Sequence, residues 1–151
     1  MTSSLTGQVL TALSEYSSRT RLYELKFDEE RAGGALASLL VEAFSADEQL
    51  QAICTRDVIA LSTRAAIPHS SLLGQQATLE ISLADGTRGR FGGYVSQVAT
   101  LGSDGGLTRY RLRLSSWVWL LRQVRNSRAW QDRSVIEIVD SVLKGYRPHA
   151  Q

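Results

Sequence analysis

The strongest constraint in this sequence is a period-two alternation that recurs around turn signals. Over residues 77–83, Ala77, Leu79, Ile81 and Leu83 alternate with Thr78, Glu80 and Ser82. Successive side chains of a strand point to opposite faces, so this pattern describes a strand with one apolar face. Asp85-Gly86 follows, a pair suited to a tight hairpin. A return strand is expected over 88–98, through Phe91, Tyr94 and Val95. Inside it, Gly92-Gly93 marks either a bulge or a place where another backbone comes close. Gly102-Ser103-Asp104-Gly105-Gly106 makes a second turn. Residues 108–114 then alternate again, with Tyr110, Leu112 and Leu114 set against Arg109, Arg111 and Arg113. Three consecutive segments of this kind argue for an antiparallel sheet.

The flanking segments extend that sheet and then leave it. Residues 1–20 are read as a flexible segment, in which Val9, Leu13 and Tyr16 allow a short helix. Residues 21–29 predict a strand, with Tyr23, Leu25 and Phe27 on one face and Glu24, Lys26 and Asp28 on the other. Gly33-Gly34 is a turn. The end of the apolar run, 39–44, predicts a strand, and Ser45-Ala46-Asp47-Glu48 a turn after it. Another strand is expected over 52–62, through Val58, Ile59 and Leu61. Pro68 breaks the next stretch, where Ser70-Ser71 can cap a short helical turn through Leu72-Leu73. Near the end, Ser115 or Ser116 can cap a helix over 117–123, interrupted by Asn126-Ser127. Ser134 caps a second helix, and Glu137 completes a capping box. Its apolar stripe is Val135, Ile138, Val139, Val142 and Leu143; Gly145 and Pro148 end it. Strands first and helices last indicate an α+β fold, mainly antiparallel β with two C-terminal helices.

Composition excludes several classes. The longest apolar runs, 35–44 and 117–121, fall short of the roughly 18 residues a membrane helix requires. One cysteine, Cys54, permits neither an internal disulfide nor a thiolate zinc site, and its apolar neighbours predict a small buried hydrophobe. The first residues lack a basic region followed by an apolar one, so no secretory signal is read and a cytoplasmic origin is expected.

Charge is distributed unevenly. The 17 basic residues comprise 15 Arg and 2 Lys. Residues 1–87 carry 6 basic and 11 acidic side chains, whereas 88–151 carry 11 and 4. The Arg excess and the split are first read as the mark of a genome that prefers Arg codons. The other readings are a polyanion partner, or pairing of the acidic half with the basic half, within a subunit or between subunits. Arg88, Arg90, Arg109, Arg111 and Arg113 could together track phosphates. Base-stacking aromatics would have to share their face, yet Tyr110 alternates away from it. Nucleic acid is therefore the lesser reading.

No catalytic group can be nominated. His69 follows Pro68 in a loop, and His149 lies in the tail; neither belongs to a metal-ligand pattern. Gly89-Arg90-Phe91-Gly92-Gly93 lies within a hairpin, outside the strand-to-helix context of a phosphate loop. Glu29-Glu30 sits at a strand end, where solvated charge is the default. No catalytic, cofactor or metal site is expected.

Read in order, the second half carries a distinctive set. Leu72-Leu73-Gly74-Gln75-Gln76-Ala77-Thr78-Leu79 precedes Arg90-Phe91-Gly92-Gly93-Tyr94-Val95. Tyr110-Arg111-Leu112-Arg113-Leu114, Trp117-Val118-Trp119-Leu120-Leu121, Ser127-Arg128-Ala129-Trp130-Gln131-Asp132 and Ser134-Val135 follow. This set resembles the N-terminal region of the VgrG family, the Rhs-element Vgr proteins of the bacterial type VI secretion system. That region is similar to the baseplate hub of contractile phage tails. Ser116 stands where the family has proline before the first Trp, and Trp130 where it has Phe. The resemblance covers about residues 21–143 and implies a barrel-like hub domain over 21–147, the front part of a longer protein. It further implies a non-enzymatic spike component that trimerises and caps the secreted tube. Tube protein and effectors are the implied partners, and export through the apparatus the implied route. Trp117, Trp119 and Trp130 are expected as core or inter-element anchors, with core the default and an interface the second reading. Arg111 and Arg128 match the family's own arginines and are expected in structural ion pairs or hydrogen bonds.

Overall fold

The computed structural model describes residues 21–28, 39–64 and 66–149. The expected 1–20 segment, Glu29-Glu30 and the Gly33-Gly34 turn lie outside them. Two compact units divide the chain, the first ending at Ser116 and the second beginning at Trp117.

The first unit is built from β1 (Tyr23–Phe27), β2 (Leu40–Asp47), β3 (Thr55–Ser62), β4 (Gln76–Ser82), β5 (Arg88–Asp104) and β6 (Leu107–Ser115). They form one antiparallel sheet in the order β1-β4-β5-β6-β3-β2. The sheet curls into a half-barrel. β5 is the corner strand. Its first half, Arg88 to Tyr94, pairs with β4, and its second half, from Tyr94 on, pairs with β6. Register shifts between Val95 and Gln97 and between Thr100 and Gly102 bend it. The curl brings the two edge strands together, where Tyr23 of β1 meets Phe44 of β2 edge to face at 5.2 Å between ring centroids.

The alternation read from sequence fills the concave side. Leu25, Val58, Ala60, Ala77, Leu79, Val95, Tyr110, Leu112 and Leu114 are buried in one cluster. Ile67 and Leu72 join it from the segment between β3 and β4, which includes the short helix α1 (His69–Leu72). The Ile67 amide donates to the Tyr110 hydroxyl at 2.9 Å, which satisfies the one polar atom of this buried ring.

Several boundaries differ from the sequence reading. β2 runs through Ser45, Ala46 and Asp47, where a turn was expected; an edge strand half in water tolerates small and polar residues. β3 begins at Thr55. β5 continues past Val98 to Asp104. α1 starts after Pro68 without a side-chain cap, and Ser71 Oγ donates instead to the Pro68 carbonyl at 2.7 Å. Of the two readings of Gly92-Gly93, close approach is the one observed. Register is unbroken there, and a Cβ on Gly93 would lie 2.8 Å from the Ser115 carbonyl oxygen. Gly86, at φ +81°, turns the β4–β5 connection, and Asp85 Oδ1 accepts from the Thr87 amide at 2.9 Å and its hydroxyl at 2.6 Å.

The second unit contains a 3-10 helix (Trp117–Gln123), α2 (Val135–Lys144) and a 3-10 turn (Arg147–His149). The expected helix over 117–123 is thus the tighter form. The second helix forms as expected. Ser134 Oγ accepts from the Glu137 amide, and the Glu137 carboxylate accepts from the Ser134 amide at 2.8 Å. No residue of 117–149 is buried.

Candidate functional site

The outer face of the sheet carries two groups of ion pairs. Glu80, at the centre of β4, is only 4% exposed. Lys26 Nζ and Arg88 Nη1 each donate to its Oε2 at 2.9 Å, and Arg90 Nε lies 3.2 Å from its Oε1. Arg88 also donates to Glu24 Oε2 at 2.5 Å. These contacts follow from register. Glu80 faces Glu24 on one side and Arg90 on the other, with Arg88 two pairs along and so on the same face. Hydrogen bonds from Lys26 and then Arg88 hold the Glu80 carboxyl below the usual carboxylate range, against the cost of its burial.

A second cluster spans β2, β3 and β6. Arg113 donates through Nε and Nη2 to the two oxygens of Asp57 at 2.9 and 2.7 Å, and the two residues face each other across the β3–β6 ladder. This paired bond lowers the Asp57 carboxyl from its ordinary value and raises the Arg113 guanidinium. Arg109 makes the same fork to Glu42 at 2.7 Å through each nitrogen.

On the concave side, Arg56 pairs with Glu48 and stacks its guanidinium 4.5 Å from the centre of the Phe91 ring. Its Nε is buried with no partner among the described residues.

The five arginines singled out from sequence therefore separate into two groups. Arg88, Arg90, Arg109 and Arg113 each meet a carboxylate. Arg111 has no ion pair among the described residues, although its charge still acts on Asp57. The acidic half of the sequence supplies Glu24, Glu42, Asp57 and Glu80; the basic half supplies Arg88, Arg90, Arg109 and Arg113, and Lys26 joins them from the acidic half itself. Part of the charge split of the sequence is thus a cross-strand pairing scheme inside one sheet.

Other expected roles are corrected. Arg128 makes no ion pair among the described residues and instead lines a groove of the second unit. Trp117, Trp119 and Trp130 are half-buried and are not core anchors, because no buried residue surrounds them in 117–149. Cys54 is half-buried, its thiol 3.8 Å from the Gln49 carbonyl oxygen. His69 Nε2 lies 2.9 Å from the Thr100 hydroxyl, exposed at the end of the sheet. Among the described residues no group of His, Cys, Asp and Glu could hold a metal ion. No described helix is long and apolar enough to cross a membrane. Sequence reasoning missed Glu80 and Asp57. A polar residue on the outward side of an alternating strand has no special signal until register shows which cations surround it.

What the arrangement offers is a rigid scaffold with a neutralised outer face. Comparison with known proteins matches it to structural assemblies. The family model of the phage tail baseplate hub (GPD) matches residues 47–151. The type VI secretion system spike protein VgrG1a of Pseudomonas aeruginosa is 28% identical over 106 residues, which is 70% of this chain and 16% of that protein. VgrG1b of the same organism is 32% identical over 78 residues, 52% of this chain and 10% of that protein. Among solved structures, the E. coli c3393 protein superimposes with a TM-score of 0.67 at 25% identity, over 82% of this chain and 32% of that one. It is described as a component of the type VI secretion system with structural similarity to the T4 bacteriophage tail proteins gp27 and gp5. The chain thus spans well under half the length of each of these relatives.

Proposed function

The chain belongs to the phage tail baseplate hub (GPD) family, and from that premise we propose that it serves as a structural hub module of a type VI secretion spike. The observation that carries the reading is the coincidence of the family match over 47–151 with a half-barrel that superimposes on 82% of its length. Residues 21–147 constitute the hub-like module in this reading. It acts without catalysis: it assembles as a trimer, caps the secreted tube and helps to deliver effectors. Assembly takes place in the cytoplasm and export through the apparatus.

The energetics of the sheet support a structural role. A tube component must hold its shape under load, and paired forks such as Arg113–Asp57 fix strand register as well as charge. The nucleic-acid alternative loses its basis in the same contacts. A phosphate backbone would have to displace carboxylates from Arg88, Arg90, Arg109 and Arg113 before it gained anything.

The test is light scattering of the purified chain, alone and mixed with the tube protein of a type VI system. Trimerisation, or co-elution with the tube protein, is the expected result. A monomer that ignores the tube protein at tens of micromolar concentration refutes the hub reading.

A further inference from the structure

The second unit presents a helix whose apolar stripe is largely exposed. Isolated helices of this length are marginal in water, and most helical stability in proteins comes from burying an apolar face. α2 nevertheless leaves Val135 76%, Ile136 74%, Val139 48% and Val142 41% exposed. Val135, Val139 and Val142 recur at i, i+4 and i+7, so they form one stripe. The stripe runs into the groove of the same unit, where Val142 and Tyr146 face Leu121, Val124 and Trp130. One charged side chain lines that groove, Arg128, and no carboxylate does.

The second unit as a whole is cationic, and its Arg128 lines the groove. Residues 117–149 hold six cationic side chains (Arg122, Arg125, Arg128, Arg133, Lys144 and Arg147) and three acidic ones (Asp132, Glu137 and Asp140). Glu137 is already engaged by the capping box and by Arg133 at 3.4 Å. Unlike Arg88, Arg90, Arg109 and Arg113 of the sheet, Arg122, Arg125 and Arg128 have no ion pair among the described residues.

We infer that the α2 stripe and its groove form a docking surface for an acidic amphipathic protein segment. Apolar side chains of the segment lie along Val135, Val139 and Val142 and enter the groove against Trp130. A carboxylate of the segment meets Arg128, an arrangement in which guanidinium supplies a two-pronged donor. An anionic lipid surface fits less well. The helix itself carries Glu137 and Asp140 against the single Lys144, the reverse of a basic membrane-surface helix, and a flat bilayer cannot enter a groove. This inference concerns 117–149 alone and does not depend on the spike reading.

The experiment uses the full chain and a fluorescein-labelled amphipathic peptide of about 15 residues, with Leu at helical spacing and Glu elsewhere. A sister peptide carries Lys in place of Glu. Fluorescence anisotropy should show the Glu peptide binding about tenfold or more tightly than the Lys peptide at low salt, the gap narrowing as salt rises. Val139→Asp, at an exposed position, should weaken the Glu peptide about tenfold or more with unchanged circular dichroism, and Arg128→Glu should erase the preference between the peptides. The proposal is overturned if neither peptide binds, if both bind equally, or if Val139→Asp has no effect. Sedimentation showing self-association that Val139→Asp abolishes would assign the face to a second copy. Tighter binding to phosphatidylserine vesicles than to the Glu peptide would assign it to a membrane. Either outcome also overturns the proposal.

Discussion

The sheet and the C-terminal unit use the same apolar residue types to opposite ends. In the sheet, Val58, Leu79, Val95 and Leu112 have no exposed surface at all. In 117–149 no residue is buried, and Val135 and Ile136 keep about three quarters of their surface in solvent. The difference does not come from hydrophobicity, since both regions follow clean periodic patterns. It comes from partners: each strand of the curled sheet faces other strands across the concavity, whereas among the described residues the α2 stripe stays exposed. A periodic pattern states which face seeks burial. It does not state that the chain itself provides the cover.

The comparison is broken most forcefully from the core. Leu79→Ala should cost the sheet about 3 kcal/mol, since a fully buried leucine loses both its transfer energy and its packing. Val139→Ala in α2 should cost less than about 0.5 kcal/mol by the same urea titration. Equal costs for the two substitutions would mean that the α2 stripe is covered in solution.

Gly93→Ala comes next, at about 2 kcal/mol. The new methyl would press on the Ser115 carbonyl, which is backbone within β6 and cannot swing aside. The C-terminal unit has no comparably tight position among its described residues; a Cβ on Gly145 meets nothing within 4 Å. A thermal melt of Gly93→Ala that matches the parent would show that the β5 corner yields.

Much of this contrast was legible beforehand, for identifiable reasons. The alternations at Ala77, Leu79 and Ile81 and at Tyr110, Leu112 and Leu114 placed β4 and β6, and Asp85-Gly86 placed the turn between β4 and β5. The Ser134 and Glu137 capping box placed the start of α2. These signals are local. What escaped was nonlocal. The extension of β2 through Ser45, Ala46 and Asp47 depends on pairing with β3, which no property of those residues announces. The large apolar area of Trp117, Trp119 and Trp130 suggested burial, but burial needs an opposing surface. The charge asymmetry was visible, whereas its resolution into Arg113–Asp57 and Arg88–Glu80 pairs required the register.

Those pairs make the outer face sensitive to acid. The Glu80 and Asp57 carboxyls are held below their ordinary values, chiefly by hydrogen bonds from Lys26 and Arg88 and from Arg113. The folded state therefore takes up protons less readily than the unfolded chain. The stability they contribute is complete above the unfolded values, near pH 4, and is lost as pH falls through the lower folded ones. Glu80→Gln should cost about 2 kcal/mol at neutral pH, because three cations lose the negative charge they share and one of its acceptor oxygens becomes a donor, and should flatten the acid side of the stability profile. An unchanged acid slope would show that Glu80 titrates alike in both states.

The smallest effect belongs to α2. With no buried face, the helix depends on local terms, and the capping box is the largest of these on the page. Ser134→Ala removes the oxygen that accepts from the Glu137 amide. The loss should be about 1 kcal/mol of helix stability, read as roughly fivefold faster hydrogen exchange at the Glu137 and Ile138 amides. The Ile138 amide is the informative one, since it bonds to the Ser134 carbonyl and stays protected only while the first turn is closed. If its exchange is unaltered, the helix draws its stability from burial that the isolated chain does not show, and the contrast between the two regions disappears.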